Sequence, residues 1–374
     1  MKIAITIEDL SPHRGGAEVY TLWLVRRLMA AGHDVTVFAE RCGYPDLKSV
    51  AVPVRGIGRA WRALSFARNA CRLLHTDRFD VTVDMGRSFG GQLYMTHNGC
   101  YPSARQANLR AESSSAIYWL RSTLGALSLR ERLYDYIERE RARRGARIIA
   151  LSRFVADDWR RFYGVPSSRV HVIYNGVDTA RFRPSLPKPV AGPLTILCVA
   201  QNFRRKGIHC LLQAAQVLRQ RAPGPFRVRI VGLGYASGPG YERLSRALGV
   251  ADCVEFAGET DDITKVYAAA DVFCLPTFYD PCSLVVLEAL ACGLPVVTTR
   301  HNGAGELITP GQEGYIIEDP RDVPALADAL IKLFDAPTRA RMGAAARALA
   351  ERHTSERNFE ELLAVFRHVA GEAR

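Results

Sequence analysis

The sequence predicts an α/β protein built from two Rossmann-like, doubly wound domains that face a central cleft. Three observations carry that expectation. At 374 residues the chain is too long for one ordinary hydrophobic core and suits two. Short β-branched runs alternate with helical patterns along its length, as parallel βαβ units do. The alternation breaks at a proline-rich stretch, RPSLPKPVAGP (183–193), and then starts again.

In the first half, strands are expected at 2–7 (KIAITI), 34–39 (DVTVFA), 79–84 (FDVTVD), 92–96 (QLYMT), 147–152 (RIIALS) and 169–174 (RVHVIY). Helical spacing lies between them at 17–31, 59–75, 130–144 and 153–163. The prolines of 183–193 continue neither a helix nor a central strand, so the interdomain linker is expected there. Strands resume at 194–200 (LTILCVA), 226–232 (FRVRIVG), 253–258 (CVEFAG), 271–277 (DVFCLPT), 295–300 (PVVTTR) and 314–319 (GYIIED), and 321–370 reads as successive helices. The expected division is 1–184, 185–355 and a closing helix, 356–374, that packs back toward the first domain. Ligands should bind beyond the carboxyl ends of the strands.

Composition narrows the class. With 48% hydrophobic and 24% charged residues the chain reads as globular. No apolar run approaches the roughly 20 residues that span a bilayer. MKIAITI enters a strand pattern with no small-residue cleavage site, so no secretory leader is expected. The nine cysteines form no CxxC pair and sit mostly in apolar runs, which suits reduced thiols in a cytoplasmic protein. His and Cys do not cluster at ligand spacing, so no metal site is expected.

Four motifs lie at strand ends. Gly15 and Gly16 stand between the first strand and the first helix, where they serve either a flexible turn or a phosphate at a helix N-terminus. VGLGYASG (231–238) follows the second strand of the second domain rather than the first, and no acidic residue follows at the spacing of a dinucleotide fingerprint. It is read mainly as turn geometry. Arg204, Arg205 and Lys206 follow the first strand of the second domain, either as a solvated turn or as a clamp for a diphosphate. The most informative stretch is PTFYDPCSLVVLEALACGLPVV (276–297). Here Asp280 sits in a loop and Glu288 lies in an apolar helix, where a carboxylate is costly unless it accepts hydrogen bonds. A ribose diol would supply them, and so would an Arg or a backbone amide. The start of that helix, Ser283-Leu284-Val285, offers free N–H groups to a phosphate.

Together these residues resemble the retaining GT-B glycosyltransferases of family 4. The matching elements run in family order over nearly the whole chain: the glycine pair, YNGVDTARF (174–182), the RRKG turn, DPCSLVVLEALACGLPVVTT and NGAGELI (302–308). Within the family, the length, the NFRRKG turn and QLYMTHNGCY are most similar to members that glucosylate the heptose of a lipopolysaccharide core. The resemblance implies transfer of a hexose, glucose first, from a UDP-sugar to a lipopolysaccharide core or related cell-envelope glycan, without metal or cofactor. GDP-mannose or UDP-GlcNAc as donor, for exopolysaccharide, is the alternative within the family.

Residue by residue, the resemblance has Glu288 bind the donor ribose and Asp280 the sugar hydroxyls. Arg205 and Lys206 neutralise the leaving diphosphate. Gly15 and Gly16 lie by the phosphates and acceptor, and His97 approaches the reacting atoms. Two departures stand out. The family usually has Glu at the position of Asp280, with seven residues between it and the second Glu; this chain keeps that spacing to Glu288 but has the shorter Asp. The most similar members carry an acidic residue at the position of Asn98. No DxD motif, the usual sign of a metal-dependent donor site, occurs in the sequence.

Charge points to a partner. Residues 1–184 carry 29 Lys/Arg against 17 Asp/Glu, which is the entire net +12, while 185–374 are neutral. Between 47 and 76 there are six cations and no acid, interleaved with Trp61, Leu64, Phe66, Leu73 and Leu74. A second such stretch, 104–132, sets Ile117, Tyr118, Trp119, Leu120, Leu124 and Leu127 among Arg105, Arg110, Arg121, Arg130 and Arg132. Each is either an amphipathic helix with a solvated face or a segment that lies on an anionic bilayer. Confinement of the charge to one domain favours the bilayer, hence peripheral attachment to the inner membrane and a lipid-linked acceptor. Two other classes are weaker. An NAD-dependent oxidoreductase rests on VGLGYASG alone, and a nucleic-acid-binding protein rests on charge alone, without a recognition module.

Overall fold

A computed structural model describes residues 1–12, 15–112, 119, 128–184, 192–232 and 238–372. The chain divides into two compact units, one of residues 1–109, 113–174 and 358–374, the other of 110–112 and 175–357.

The first unit contains β1 (Lys2–Thr6), β2 (Asp9–Leu10), α1 (Gly16–Ala30), β3 (Asp34–Ala39), β4 (Arg41–Cys42), β5 (Ser49–Ala51), α2 (Arg59–Leu74), β6 (Val81–Asp84), β7 (Leu93–Met95), α3 (Tyr101–Arg110), α4 (Leu129–Arg143), β8 (Arg147–Ala150), α5 (Arg153–Tyr163) and β9 (Val170–Val172). Its main sheet is parallel throughout, in the order β5-β3-β1-β6-β7-β8-β9. The central strands are covered on both faces, which is why they read as continuous β-branched runs rather than alternating ones. Ile3, Ala4, Ile5, Val81, Val83, Ile148 and Ile149 are all fully buried. Helix α2 turns Ala63, Leu64, Phe66, Ala67, Ala70, Cys71 and Leu74 inward.

The second unit contains β10 (Leu194–Val199), α6 (Ile208–Arg221), β11 (Phe226–Val231), α7 (Gly238–Ala247), β12 (Val254–Gly258), α8 (Ile263–Ala268), β13 (Val272–Leu275), α9 (Leu284–Ala291), β14 (Val296–Thr299), β15 (Gly314–Ile317), α10 (Val323–Lys332) and α11 (Ala336–Glu351). Its sheet is also parallel, in the order β12-β11-β10-β13-β14-β15. Asp322 and Asp335 cap α10 and α11, accepting from Ala325 N at 3.0 Å and Thr338 N at 2.9 Å. The last helix, α12 (Ser355–Glu372), begins in this unit and joins the first from Asn358 onward. There Tyr20 donates to Asn358 Oδ1 at 2.6 Å, and Asn358 Nδ2 donates to the Tyr174 carbonyl at 2.7 Å.

The expected strands and helices appear within a few residues of their sequence positions. Three short strands (β2, β4, β5) and α3 were not expected. Parts of the proline-rich linker, the centre of the VGLGYASG turn, and Ile117, Tyr118, Leu120, Arg121, Leu124 and Leu127 lie outside the described residues. No helix among the described residues is long and apolar enough to cross a membrane.

Candidate active site

In the second unit the strand order reverses between β10 and β13, and the expected donor-binding residues gather at that switch point. The loop after β10 carries Arg205 and Lys206 and ends in Gly207, which caps α6 at φ +74°. A Cβ at Gly207 would stand 1.9 Å from the Pro276 carbonyl oxygen, so only glycine lets this loop reach the one after β13. The two loops are then tied through one acceptor. Phe278 N donates to the Arg205 carbonyl at 2.8 Å and Thr277 Oγ1 donates to it at 3.2 Å. The result is an ion pair between Lys206 Nζ and Asp280, both largely buried.

A third loop, after β14, fixes Asp280 from the other side. Asp280 N donates to the His301 carbonyl and Gly303 N to the Asp280 carbonyl, both at 2.9 Å. Asn302, fully buried, accepts at Oδ1 from Ser283 N and Ala304 N and donates through Nδ2 to Thr298 Oγ1 at 3.1 Å. Asn175 holds the neighbouring Cys282 carbonyl at 2.8 Å. These bonds aim the start of α9, with Ser283 at its N-cap and Leu284 and Val285 in its first turn. Among the described residues no side chain caps that end, so its first-turn amides and the positive end of the helix dipole carry no side-chain partner.

Glu288, one turn further along α9, is half-buried. Its Oε2 accepts from the hydroxyl of the fully buried Tyr267 at 2.7 Å. Burial raises its pKa, while the Tyr267 bond and the charge of Arg181 pull it down. The sequence offered an Arg or a backbone amide as the bland partner, and the structure supplies a tyrosine hydroxyl instead. Arg205 keeps a buried Nε without a hydrogen-bond partner. Arg204 departs from the cluster and pairs with Glu112 at 2.8 Å. Gly232, which opens the VGLGYASG turn after β11, has φ +111°, and a Cβ there would lie 2.3 Å from the Ala200 carbonyl oxygen. Close backbone approach accounts for that glycine.

The remaining expected residues belong to the first unit. Gly15 precedes α1 with extended backbone and accepts from Val19 N at 3.2 Å, and Gly16 opens the helix. His97 follows β7. Its ring lies 4.5 Å from that of Tyr20, Nε2 is buried without a partner, and burial pushes its pKa down to about 4. The imidazole is therefore neutral at physiological pH. Asn98 beside it is exposed, and Gly99 turns the chain at φ +74° into α3.

Sequence reasoning missed the supports: Tyr267, Thr277, Asn302 and Asn175 in the second unit, and a buried charge network in the first. In that network Asp84 accepts from Thr6 Oγ1 and Arg141 Nη2, each at 2.9 Å, and the Arg141 guanidinium stacks 3.5 Å from the Tyr94 ring centroid. Glu138 accepts from Tyr101 N at 2.8 Å, and burial raises its pKa to about 7. Asn175 and Asn302 stand in the YNGVD and NGAGE segments, so their motif was visible but their hydrogen-bonding role was not.

Comparison with known proteins agrees with this geometry. Residues 14–181 match the family described as Glycosyltransferase Family 4, and residues 193–336 match Glycosyl transferases group 1. The chain is 27% identical to the MMP alpha-(1->4)-mannosyltransferase of Mycolicibacterium hassiacum over 91% of both proteins. Among solved structures it is similar to WaaG, a glycosyltransferase involved in lipopolysaccharide biosynthesis, with TM-score 0.80, 22% identity and coverage of 97% and 99% of the two chains. It is also similar to Anabaena Alr3699/HepE in complex with UDP-glucose, with TM-score 0.70, 21% identity and coverage of 97% and 100%. The chain belongs to the glycosyltransferases of family 4/group 1 and is an enzyme of GT-B architecture.

Proposed function

We propose that this glycosyltransferase moves a hexose, glucose first, from a UDP-sugar to a lipopolysaccharide core or related cell-envelope glycan, with retention and without metal. The observation that carries the reading is the convergence of Lys206, Asp280, the free end of α9 and Glu288 at the strand switch point. Glu288, with one oxygen held by Tyr267, presents the other to the ribose hydroxyls. The leading amides of α9, with Arg205 and Lys206, take the diphosphate. Asp280 takes sugar hydroxyls while it remains paired with Lys206.

In the reaction the bond from the anomeric carbon to the β-phosphate oxygen breaks through an oxocarbenium-like transition state. Negative charge grows on the departing UDP, where preorganised cations and amides stabilise it without reorganising. The acceptor oxygen bonds to the anomeric carbon on the face the phosphate leaves, and its proton passes to the departing phosphate oxygen. His97, neutral and with an unpartnered Nε2, is assigned to orienting the sugar or acceptor hydroxyls. The similarity to a protein crystallised with UDP-glucose supports the donor, and the similarity to a protein of lipopolysaccharide biosynthesis supports the acceptor class. The basic first half supports a lipid-linked acceptor and peripheral attachment to the cytoplasmic side of the inner membrane.

GDP-mannose is the second donor to test. The similarity to a mannosyltransferase and the shorter Asp280 in place of the family's Glu both bear on the sugar subsite. Calorimetry with UDP, UDP-glucose, UDP-galactose, UDP-GlcNAc and GDP-mannose, with a chelator present, should give binding to UDP and to UDP-glucose. Binding to GDP-mannose alone would replace the donor, and dependence on added metal would overturn the charge assignment. The anomeric coupling of the product, read by NMR, decides retention.

A further inference from the structure

Helix α2 shows an unusual outer face. Trp61, Ser65, Arg68 and Arg72 recur at helical spacing opposite the buried stripe, and the loop at 53–58 folds back along them. Two side chains of α2 pin that loop. Ser65 Oγ accepts from Arg55 N at 2.9 Å, and Asn69 Nδ2 donates to the Pro53 carbonyl at 2.7 Å. Gly56, at φ +116°, packs so closely that a Cβ would lie 3.0 Å from the Trp61 Cβ. The loop and helix thereby enclose a groove of about 330 Å³ lined by Arg55, Trp61, Arg68 and Arg72.

Charge and apolar surface coincide there. Arg62 on the same helix is neutralised by Glu40, but among the described residues no carboxylate pairs with Arg55, Arg59, Arg68 or Arg72. Ile57 at the loop tip is 94% exposed and Trp61 47%. Unpaired guanidinia bind phosphate oxygens bidentately, and an exposed Trp with an aliphatic neighbour suits the depth just below lipid headgroups. A soluble anion would use the arginines and leave Ile57 in water.

We propose that this groove is the membrane contact of the protein. Arg55, Arg68 and Arg72 hold the phosphates of anionic phospholipids, and Ile57 and Trp61 insert beside them. The proposal rests on the peripheral attachment proposed above and names the face and ligand class responsible for it.

The test is co-sedimentation of the full chain with phosphatidylcholine vesicles, with and without phosphatidylglycerol, at low and high salt. Wild type should bind only the anionic vesicles and should release in high salt. At about fivefold per arginine near the surface, R68S/R72S should bind roughly 30-fold more weakly. I57S/W61S should weaken binding in a salt-independent way. R227S/R243S removes two exposed charges from the second unit and should bind as wild type. An unchanged thermal midpoint shows that each variant is folded.

Equal loss in R68S/R72S and R227S/R243S would mean that binding follows net charge, and the groove assignment would fall. It would fall equally if inorganic phosphate at matched ionic strength displaced the vesicles, or if the wild type ignored them. Vesicle binding needs no sugar donor. A protein that binds vesicles but no nucleotide sugar would therefore sink the donor assignment and leave this one standing.

Discussion

The hydroxyl of Tyr267 donates to Glu288 Oε2 at 2.7 Å, so a residue on α8 orients the carboxylate assigned to the donor ribose. The same bond offsets the rise in pKa that burial imposes on Glu288. Glu288→Ala should weaken UDP binding at least about 100-fold, the loss of two hydrogen bonds to a charged acceptor. Tyr267→Phe should cost about tenfold, with the loss of affinity on acidification moved to higher pH. Calorimetric titration of UDP across pH checks both. Unchanged binding by the Phe variant at every pH would remove the orienting role.

The Lys206–Asp280 pair joins loops from two adjacent strands, so its members should act as a unit. Lys206→Ala should lower kcat by about 10²–10³, the usual effect of removing one preorganised group that stabilises leaving-group charge. Asp280→Asn should act mainly on sugar recognition, visible as a greater loss for UDP-glucose than for UDP. The double variant should be less impaired than the product of the singles, because each single strands a buried partner. Strict multiplicativity in steady-state rates would argue that the pair is only structural.

Gly207 carries both a positive φ and a backbone oxygen where a Cβ would go. Gly207→Ala should lower stability by about 2 kcal/mol or more, since the obstructing atom is main chain rather than a flexible side chain. Thermal unfolding monitors this. Gly249, at φ +69° with open space around it, is the comparison, and its Ala variant should cost less.

Glu138 gives the first unit a pH dependence. Its folded pKa, about 7, lies above its unfolded value because burial penalises the charged form. The folded state therefore holds its proton more tightly. The stabilisation this provides is fully present below about pH 4.5 and disappears as pH rises through 7. The span is at most about 3 kcal/mol. Glu138→Gln keeps an acceptor for Tyr101 N and cannot ionise. Its unfolding free energy between pH 5 and 8, measured by urea titration, should be flatter than that of the wild type. A parallel pair of curves would place the titration elsewhere.

Much of this architecture was legible in the chain, because parallel strands covered on both faces need unbroken apolar runs such as KIAIT and LTILCV. What escaped was local. Helix α3 buries only Ala107 and so has no apolar stripe to read, and β2, β4 and β5 are too short to show a period. At the site, residue type marked Arg205, Lys206, Asp280 and Glu288, since cations at a strand end and a carboxylate in an apolar helix are both out of place without a ligand or partner.

The sequence by itself determined two parallel α/β units and the chemical inventory of the site, because those follow from periodicity and from the cost of burying charge. Only the tertiary structure decided the partnerships. Lys206 rather than Arg204 pairs with Asp280, Tyr267 rather than an arginine meets Glu288, and Asn302 sets the register of the α9 N-terminus. Those choices depend on which strand ends become neighbours across the sheet, and residues 74 positions apart, such as Lys206 and Asp280, carry no local signal that they will meet.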